Sequence, residues 1–194
     1  MIFKVFAVIL AYFLGNISPA ILFSKARGED IRTKGSGNPG TTNMLRVYGK
    51  KAAAATLAID VLKGVAAVLA GRALGDEKVA YICVVAVVLG HMWPLMWKFK
   101  GGKGVATSLG ACLAISPLMG IAALMAGCAV ILLTRMVSPG SIVGAIVLPI
   151  LTRVFCPDFF PYAVLLAILV IIKHSSNIKK LLKGEESKID FSKK

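Results

Sequence analysis

The chain has 194 residues, of which 57% are hydrophobic and 16% charged, with a mean hydropathy of +0.80. That composition leaves no room for a separate soluble domain and places the chain among proteins that cross a membrane repeatedly. A formal net charge of +14 would point to nucleic acid if the cations shared one face, but they lie between apolar runs, as membrane topology requires, so no nucleic-acid partner is expected.

In chain order, Ile2 to Phe23 is a first apolar span, and Ser18-Pro19 is expected to kink or end its helix near one interface. Asn16 to Pro19 provides no convincing small-residue cleavage site, so the run is read as a retained span and not as a signal peptide. Ser24 to Lys51 is the longest hydrophilic segment. It carries GSGNPGTTN, Gly35 to Asn43, followed by Arg46 and the Lys50-Lys51 pair. Its three glycines admit positive φ and Pro39 fixes one turn. Such a loop can direct several N–H groups into one concavity, a nest suited to phosphate.

Further spans are expected over Ala52 to Gly71 and Val79 to Met96, with His91 near the end of the latter. WKFKGGKG, Trp97 to Gly104, reads as a short basic loop. The apolar stretch Val105 to Thr134 is divided at Ser116-Pro117, and the distribution of cations is the reason. With that turn, 18 Lys/Arg fall on one side, against Lys4, Arg72, Lys78 and Arg153 on the other, with Lys63 inside a span. Without it the basic carboxyl-terminal tail would lie opposite the other basic loops, contrary to the cytoplasmic excess of Lys/Arg. Ile142 to Phe155 and Phe159 to Ile172 complete the set.

The expected fold is therefore all-α, a single polytopic transmembrane domain over residues 1–194. It has seven transmembrane helices, the amino terminus outside and the carboxyl terminus cytoplasmic. Val105 to Ile115 would cover only about 17 Å against roughly 30 Å of hydrocarbon, so it needs a thinned bilayer or shelter from neighbouring helices. Small residues throughout the spans favour close helix packing.

With this topology the glycine loop, WKFKGGKG, Ser138-Pro139-Gly140-Ser141 and the terminal KHSSNIKKLLKGEE all emerge on the cytoplasmic face, which makes one shared site the expectation. The nine carboxylates form no clustered oxygen set for Mg²⁺ or Ca²⁺, and the adjacent Glu185-Glu186 pair reads as a solvated tail, so no metal is expected. Cys83, Cys112, Cys128 and Cys156 mostly sit in apolar spans at no ligand spacing. GGKG is not a Walker A loop, because Trp97 stands at the first glycine position and Gly104 replaces Ser/Thr. No G-x-S-x-G elbow surrounds Ser36 or Ser141. Asp60 and Lys63, at i and i+3 within a span, are read as a buried structural pair. What remains is an anion cradle, the cations Arg46 and Lys103, and His174 with Asn177 on one helical face, beside a hydrophobic wall. These suit a reaction between a phosphorylated polar molecule and a lipidic one.

GSGNPGTTN with Arg46 three residues on, GHMWP followed by FKGGKGVAT, and HSSNIKKLLKGEE resemble the three cytoplasmic segments of the bacterial acyl-phosphate-dependent glycerol-3-phosphate acyltransferases. The resemblance covers nearly the whole chain. It implies acyl transfer from acyl phosphate to the 1-hydroxyl of glycerol 3-phosphate, giving lysophosphatidic acid and inorganic phosphate, the first committed step of phospholipid synthesis. It also implies no cofactor, no obligate protein partner, the lipid bilayer as surroundings, and a multi-pass place in the bacterial cytoplasmic (inner) membrane. An acyl phosphate is already activated, so alignment of two substrates and charge stabilisation suffice.

On this reading His174, Asn177, Lys103 and Ser141 are the catalytic set. The substrate-binding set is Gly35, Ser36, Gly37, Asn38, Gly40, Thr41, Asn43, Arg46, His91 and Gly102. The hydroxyl proton is left to either His174 or a substrate phosphate. The alternative is a membrane carrier for phosphorylated metabolites, which would need a midplane site and usually internal repeats, neither visible in the sequence.

Overall fold

The structure is a computed structural model describing residues 1–189. Asp190 and the two terminal lysines, which belong to the carboxylates and the basic tail of the sequence, lie outside the described residues. Among the described residues the regular structure is helical: nine α-helices joined by short turns. Contacts divide the chain into two compact units, Met1–Ile115 and Ser116–Lys194.

The first unit holds α1 (Ile2–Asn16), α2 (Pro19–Lys25), α3 (Thr41–Leu74), α4 (Glu77–Met92) and α5 (Val105–Ile115). The break expected at Ser18-Pro19 is present. Ser18 is extended, as a residue before proline prefers, and α2 leaves α1 at 45°. α3 packs on α1, α4 and α5, and α4 on α1. Glycine allows the closest of these approaches: a Cβ on Gly15 would fall 2.2 Å from the Val87 carbonyl oxygen, and one on Gly110 would fall 2.0 Å from that of Val61. This is the small-residue packing expected of helices in lipid.

α3 begins earlier than the apolar run from Ala52 suggests. Its first turns, Thr41 to Tyr48, belong to the hydrophilic segment, and Gly49, at φ 82° and ψ −173°, separates them from the apolar helix that follows. Only glycine adopts that backbone at no steric cost, so one helical segment gives way to the next there.

The second unit holds α6 (Pro117–Thr134), α7 (Val137–Phe155), α8 (Phe160–Lys173) and α9 (Ser175–Leu182). α7 packs on α6 and α8, and α9 follows α8 after a 60° bend. Ser138-Pro139-Gly140-Ser141, expected as a loop, forms the start of α7. A proline in a first helical turn forfeits no hydrogen bond, and Gly140 lets α7 lie against Gly127 and Ile131 of α6. The Pro-Gly pair that reads as a turn in sequence is thus a helix start and a helix contact.

Among the described residues four helical stretches are long and apolar enough to cross a membrane: α3, α4 with the turn after it, α6 and α7. Counting each bent pair, α1–α2 and α8–α9, as one span raises the number to six. α5, with 11 residues, is shorter than these.

Candidate active site

The glycine loop is mounted on a small apolar core of its own. Ile21 of α2, Ile31 of a short helical turn (Ile31–Thr33) and Met44 of α3 are all fully buried, with Ala20, Ala52 and Ala53 beside them. Each of the three large side chains contributes about 1.5–3 kcal/mol relative to exposure. Ser24 fixes the approach by donating to the Ile21 carbonyl at 3.1 Å and accepting the Ile31 N–H at 3.0 Å.

Asn43 shapes the loop itself. Its Oδ1 accepts the Ser36 N–H at 2.9 Å, and its Nδ2 donates to the carbonyls of Lys34 at 2.9 Å and Ile31 at 3.4 Å. Asn43 is 1% exposed, so its carboxamide serves the backbone of the loop, a positioning role, where the sequence alone suggests contact with substrate. The N–H groups of Gly37 and Gly40 are also satisfied inside the loop, by Lys34 O and Asn38 O, both at 2.9 Å. Together with Ser36, three amides of the expected cradle therefore hold the loop's shape. Thr41 opens α3 behind Gly40, and the first amides of a helix have no intrahelical acceptor. Gly35 and Ser36 are exposed, Asn38 and Thr41 half-buried, and Arg46 projects exposed from α3.

Two residues that the sequence does not single out, Asp30 and Arg32, join this loop to the next. Asp30 holds Arg32 through both carboxylate oxygens at 2.6–3.1 Å, and Arg32 donates onward to the Trp97 carbonyl at 3.0 Å. The guanidinium draws the Asp30 carboxyl down to a pKa of about 2, against the opposing effect of burial. Trp97 donates its indole N–H to the Asn16 carbonyl at 2.9 Å, which ties the basic loop to the end of α1. Lys34 and Tyr48 both engage Glu29. No periodicity in the sequence marks Arg32; the one local cue is Asp30 two residues earlier, whose side chain accepts the Arg32 N–H.

In the second basic loop, Gly102 lies against His91. Its N–H donates to the His91 carbonyl at 3.1 Å, and a Cβ there would come within 2.2 Å of His91 Nε2. His91 is buried at the end of α4, with Nδ1 2.8 Å from Lys63 Nζ. Lys63 pairs with Asp60 at 2.7 Å, as the i, i+3 spacing suggests, and both are almost wholly buried. Lys103, half-buried, follows Gly102 directly.

In the second unit, Glu186 is the organising group. It accepts from Ser138 Oγ at 2.5 Å and from Asn177 Nδ2 at 2.8 and 3.1 Å, and it is 9% exposed. The solvated tail expected from sequence is instead drawn onto the start of α7, where the Ile189 N–H also donates to the Arg135 carbonyl at 2.7 Å. A carboxylate beside a helix N-terminus interacts favourably with its dipole. Ser141 lies one turn along α7 and donates to the Val137 carbonyl at 3.0 Å. His174 sits at the α8–α9 bend, 1% exposed, with Nδ1 2.8 Å from the Val170 carbonyl. A carbonyl accepts only, so Nδ1 carries the proton, and in the neutral ring Nε2 is the accepting nitrogen.

Among the described residues the regular structure is helical, and several helices are long and apolar enough to cross a membrane, which defines the class as a helical integral membrane protein. Comparison narrows that class: the family described as glycerol-3-phosphate acyltransferase matches residues 5–184, and the chain belongs to it. A glycerol-3-phosphate acyltransferase of Thermoanaerobacter sp. (strain X514) is 50% identical over 190 residues, 96% of each chain. One from Clostridioides difficile (strain 630) is 47% identical over 93% of each. Among solved structures, the chain resembles PlsY (YgiH), an integral membrane glycerol 3-phosphate acyltransferase, in its glycerol 3-phosphate form, with a TM-score of 0.91 and 36% identity over 96% of both chains. The lysophosphatidic acid form of that protein gives 0.88, covering 96% of this chain and 95% of that one.

Proposed function

We propose that this chain transfers a fatty acyl group from acyl phosphate to the 1-hydroxyl of glycerol 3-phosphate. The products are lysophosphatidic acid and inorganic phosphate. The observation that carries the reading is that a protein sharing this fold over 96% of both chains has a glycerol 3-phosphate form and a lysophosphatidic acid form, acceptor and product of one acylation.

In the reaction the acceptor hydroxyl oxygen attacks the acyl carbonyl carbon, the bond from that carbon to the phosphate oxygen breaks, and the hydroxyl proton ends on the released hydrogen phosphate. The donor is already activated, so the protein's part is alignment and stabilisation of negative charge on the carbonyl oxygen and the departing phosphate. Main-chain amides at Gly35, Asn38 and Thr41 hold the phosphoryl group, with the hydroxyls of Ser36 and Thr41 in support. The fixed geometry of these amides comes from the Asn43, Gly37 and Gly40 hydrogen bonds, and amides already in place need no reorganisation as charge develops.

Arg46 and Lys103 supply positive charge to phosphate, and Gly102 places Lys103. Asn177 and His174 orient glycerol 3-phosphate. His174 Nε2 accepts the hydrogen bond of the hydroxyl, and Ser141 supports the site from α7.

The topology that accompanies this reading has seven spans, with the short α5 crossing as one of them. The amino terminus is outside and the reaction takes place on the cytoplasmic face of the bacterial inner membrane. The 18 cations assigned to that face support it. A carrier for phosphorylated metabolites is separated by one assay. Detergent-solubilised protein given glycerol 3-phosphate and palmitoyl phosphate forms lysophosphatidate if it is the enzyme, and none if it is a carrier.

A further inference from the structure

We propose that Asp60, Lys63 and His91 form an intramembrane brace that sets the backbone of the Gly101–Gly104 loop, and that His91 serves the reaction by positioning this loop and not by touching substrate. The inference rests on the proposed function and adds to it that the phosphate Lys103 meets is that of glycerol 3-phosphate.

Lys63 Nζ lies 2.7 Å from Asp60 Oδ1, 2.8 Å from His91 Nδ1, 2.7 Å from the Ile17 carbonyl and 3.1 Å from that of Gly15. The ammonium thus gathers the end of α1, the middle of α3 and the end of α4 around one charge. An ammonium donates and never accepts, so Nδ1 is the acceptor and the His91 ring proton sits on Nε2. Asp60 Oδ1 is 3.3 Å from the same Nδ1 and balances the ammonium. This ring orientation places Nδ1 within hydrogen-bond reach of the ammonium.

That orientation has a consequence outside the cluster. The backbone of the loop lies against two points of His91, with no room for a side chain at either. A Cβ on Gly102 would fall 2.2 Å from Nε2, and one on Gly101 would fall 2.1 Å from the His91 carbonyl oxygen. The Gly102 N–H is bonded to that same carbonyl. Lys103 is the next residue, so a turned or shortened ring lets the two glycines move and carries the Lys103 Cα with them. Anchoring three helices explains the Lys63 contacts to Gly15 and Ile17. It does not require an imidazole whose far edge is fitted to Gly102. Buried ionisable groups in a membrane span are costly, and simple packing needs none.

The test uses full-length protein in detergent, with melting temperature and steady-state constants for both substrates. His91→Asn keeps an acceptor close to the Nδ1 position but removes the ring edge that meets Gly102. It is expected to melt within about 2 °C of the unaltered chain and to raise the KM for glycerol 3-phosphate about tenfold, with the KM for palmitoyl phosphate little changed. Gly102→Ala is expected to raise the same constant, because its methyl strikes Nε2. In the double variant the methyl occupies the space the ring vacated, so the two effects are less than additive.

The pair Asp60→Asn with Lys63→Met removes both charges together and leaves no unpaired ion. It is expected to fold and to show the same selective rise. Unchanged KM for glycerol 3-phosphate in His91→Asn or in the charge-free pair overturns the brace, as does full additivity of His91→Asn with Gly102→Ala. A fall in melting temperature with unaltered kinetics reduces the cluster to a structural anchor and overturns it as well. If the unaltered chain makes no lysophosphatidate, the acyltransferase reading fails first, and the brace loses its role with it.

Discussion

The Asn43 carboxamide oxygen holds the Ser36 N–H at 2.9 Å, seven residues earlier in the chain, while the same side chain's nitrogen holds the Lys34 carbonyl. The glycine loop is therefore shaped by a side chain from the helix that follows it. Asn43→Ala leaves the Ser36 N–H and the Lys34 carbonyl without these partners, at a cost of about 1–3 kcal/mol where they are buried. The expected result is a KM for acyl phosphate raised about tenfold and a lowered melting temperature. Steady-state kinetics with palmitoyl phosphate and a thermal melt check both.

The three glycines of the loop are not equivalent. Gly35 has φ +56° and a Cβ there would lie 2.2 Å from Asn43 Oδ1; Gly37 has φ +73° with 3.1 Å to the Arg32 carbonyl oxygen. Gly40 has an ordinary extended φ of −139°, and its nearest obstacle, at 2.8 Å, is the far end of the Asn38 side chain. Left-handed backbone costs a residue with a Cβ about 1–2 kcal/mol before any clash. Gly35→Ala is therefore expected to damage turnover most, Gly37→Ala next and Gly40→Ala least. Equal losses at all three would show that the loop acts as a whole and not through these contacts.

His174 Nε2 accepts a hydrogen bond only while the ring is neutral, since the imidazolium donates from both nitrogens. In the unaltered chain kcat/KM is expected to fall as the pH drops through the imidazole titration. His174→Gln retains an amide near Nε2 that does not titrate, so its acidic limb should be absent while some turnover remains. An identical acidic limb in the glutamine variant would remove His174 from the pH dependence.

Asp30 is held at a pKa of about 2 by Arg32, below its ordinary 3.8. A lowered carboxylate pKa gives stability that is present above the ordinary value and is lost as pH falls toward the lowered one. Asp30→Asn should therefore lower the melting temperature by about 2–4 °C at neutral pH, the shift expected for about 1 kcal/mol in a chain of this size. The gap to the unaltered chain should close between about pH 4 and pH 2. A gap that persists at the acid end would mean that the carboxylate charge is not what holds Arg32.

What is legible in the sequence depends on which residues interact locally. The Ser18-Pro19 break, the Asp60–Lys63 pair and the glycine turns of Gly35–Asn43 depend on neighbours a few residues apart, the division at Ser116 follows from the spread of cations along the chain, and all appear as expected. The start of α7 does not, because Ser138-Pro139-Gly140-Ser141 has the composition of a turn. It is helical because a first turn tolerates proline and because Gly140 fits against Gly127 of α6. Arg32 and Glu186 escape sequence reasoning for a related reason. Arg32 meets Trp97 across 65 residues and Glu186 meets Ser138 across 48. Nothing in the local pattern at either position announces a distant partner. Asn43 stands out in the right loop, but burial decides that its amide faces the loop's own carbonyls.

The measurement that bears most directly on the central claim is product formation by the purified chain. Incubated in detergent with palmitoyl phosphate and glycerol 3-phosphate, and with no other protein added, it is expected to release inorganic phosphate and lysophosphatidic acid in equal amounts, with Gly35→Ala greatly reducing both. Release of phosphate without lysophosphatidate, or of neither, would contradict it.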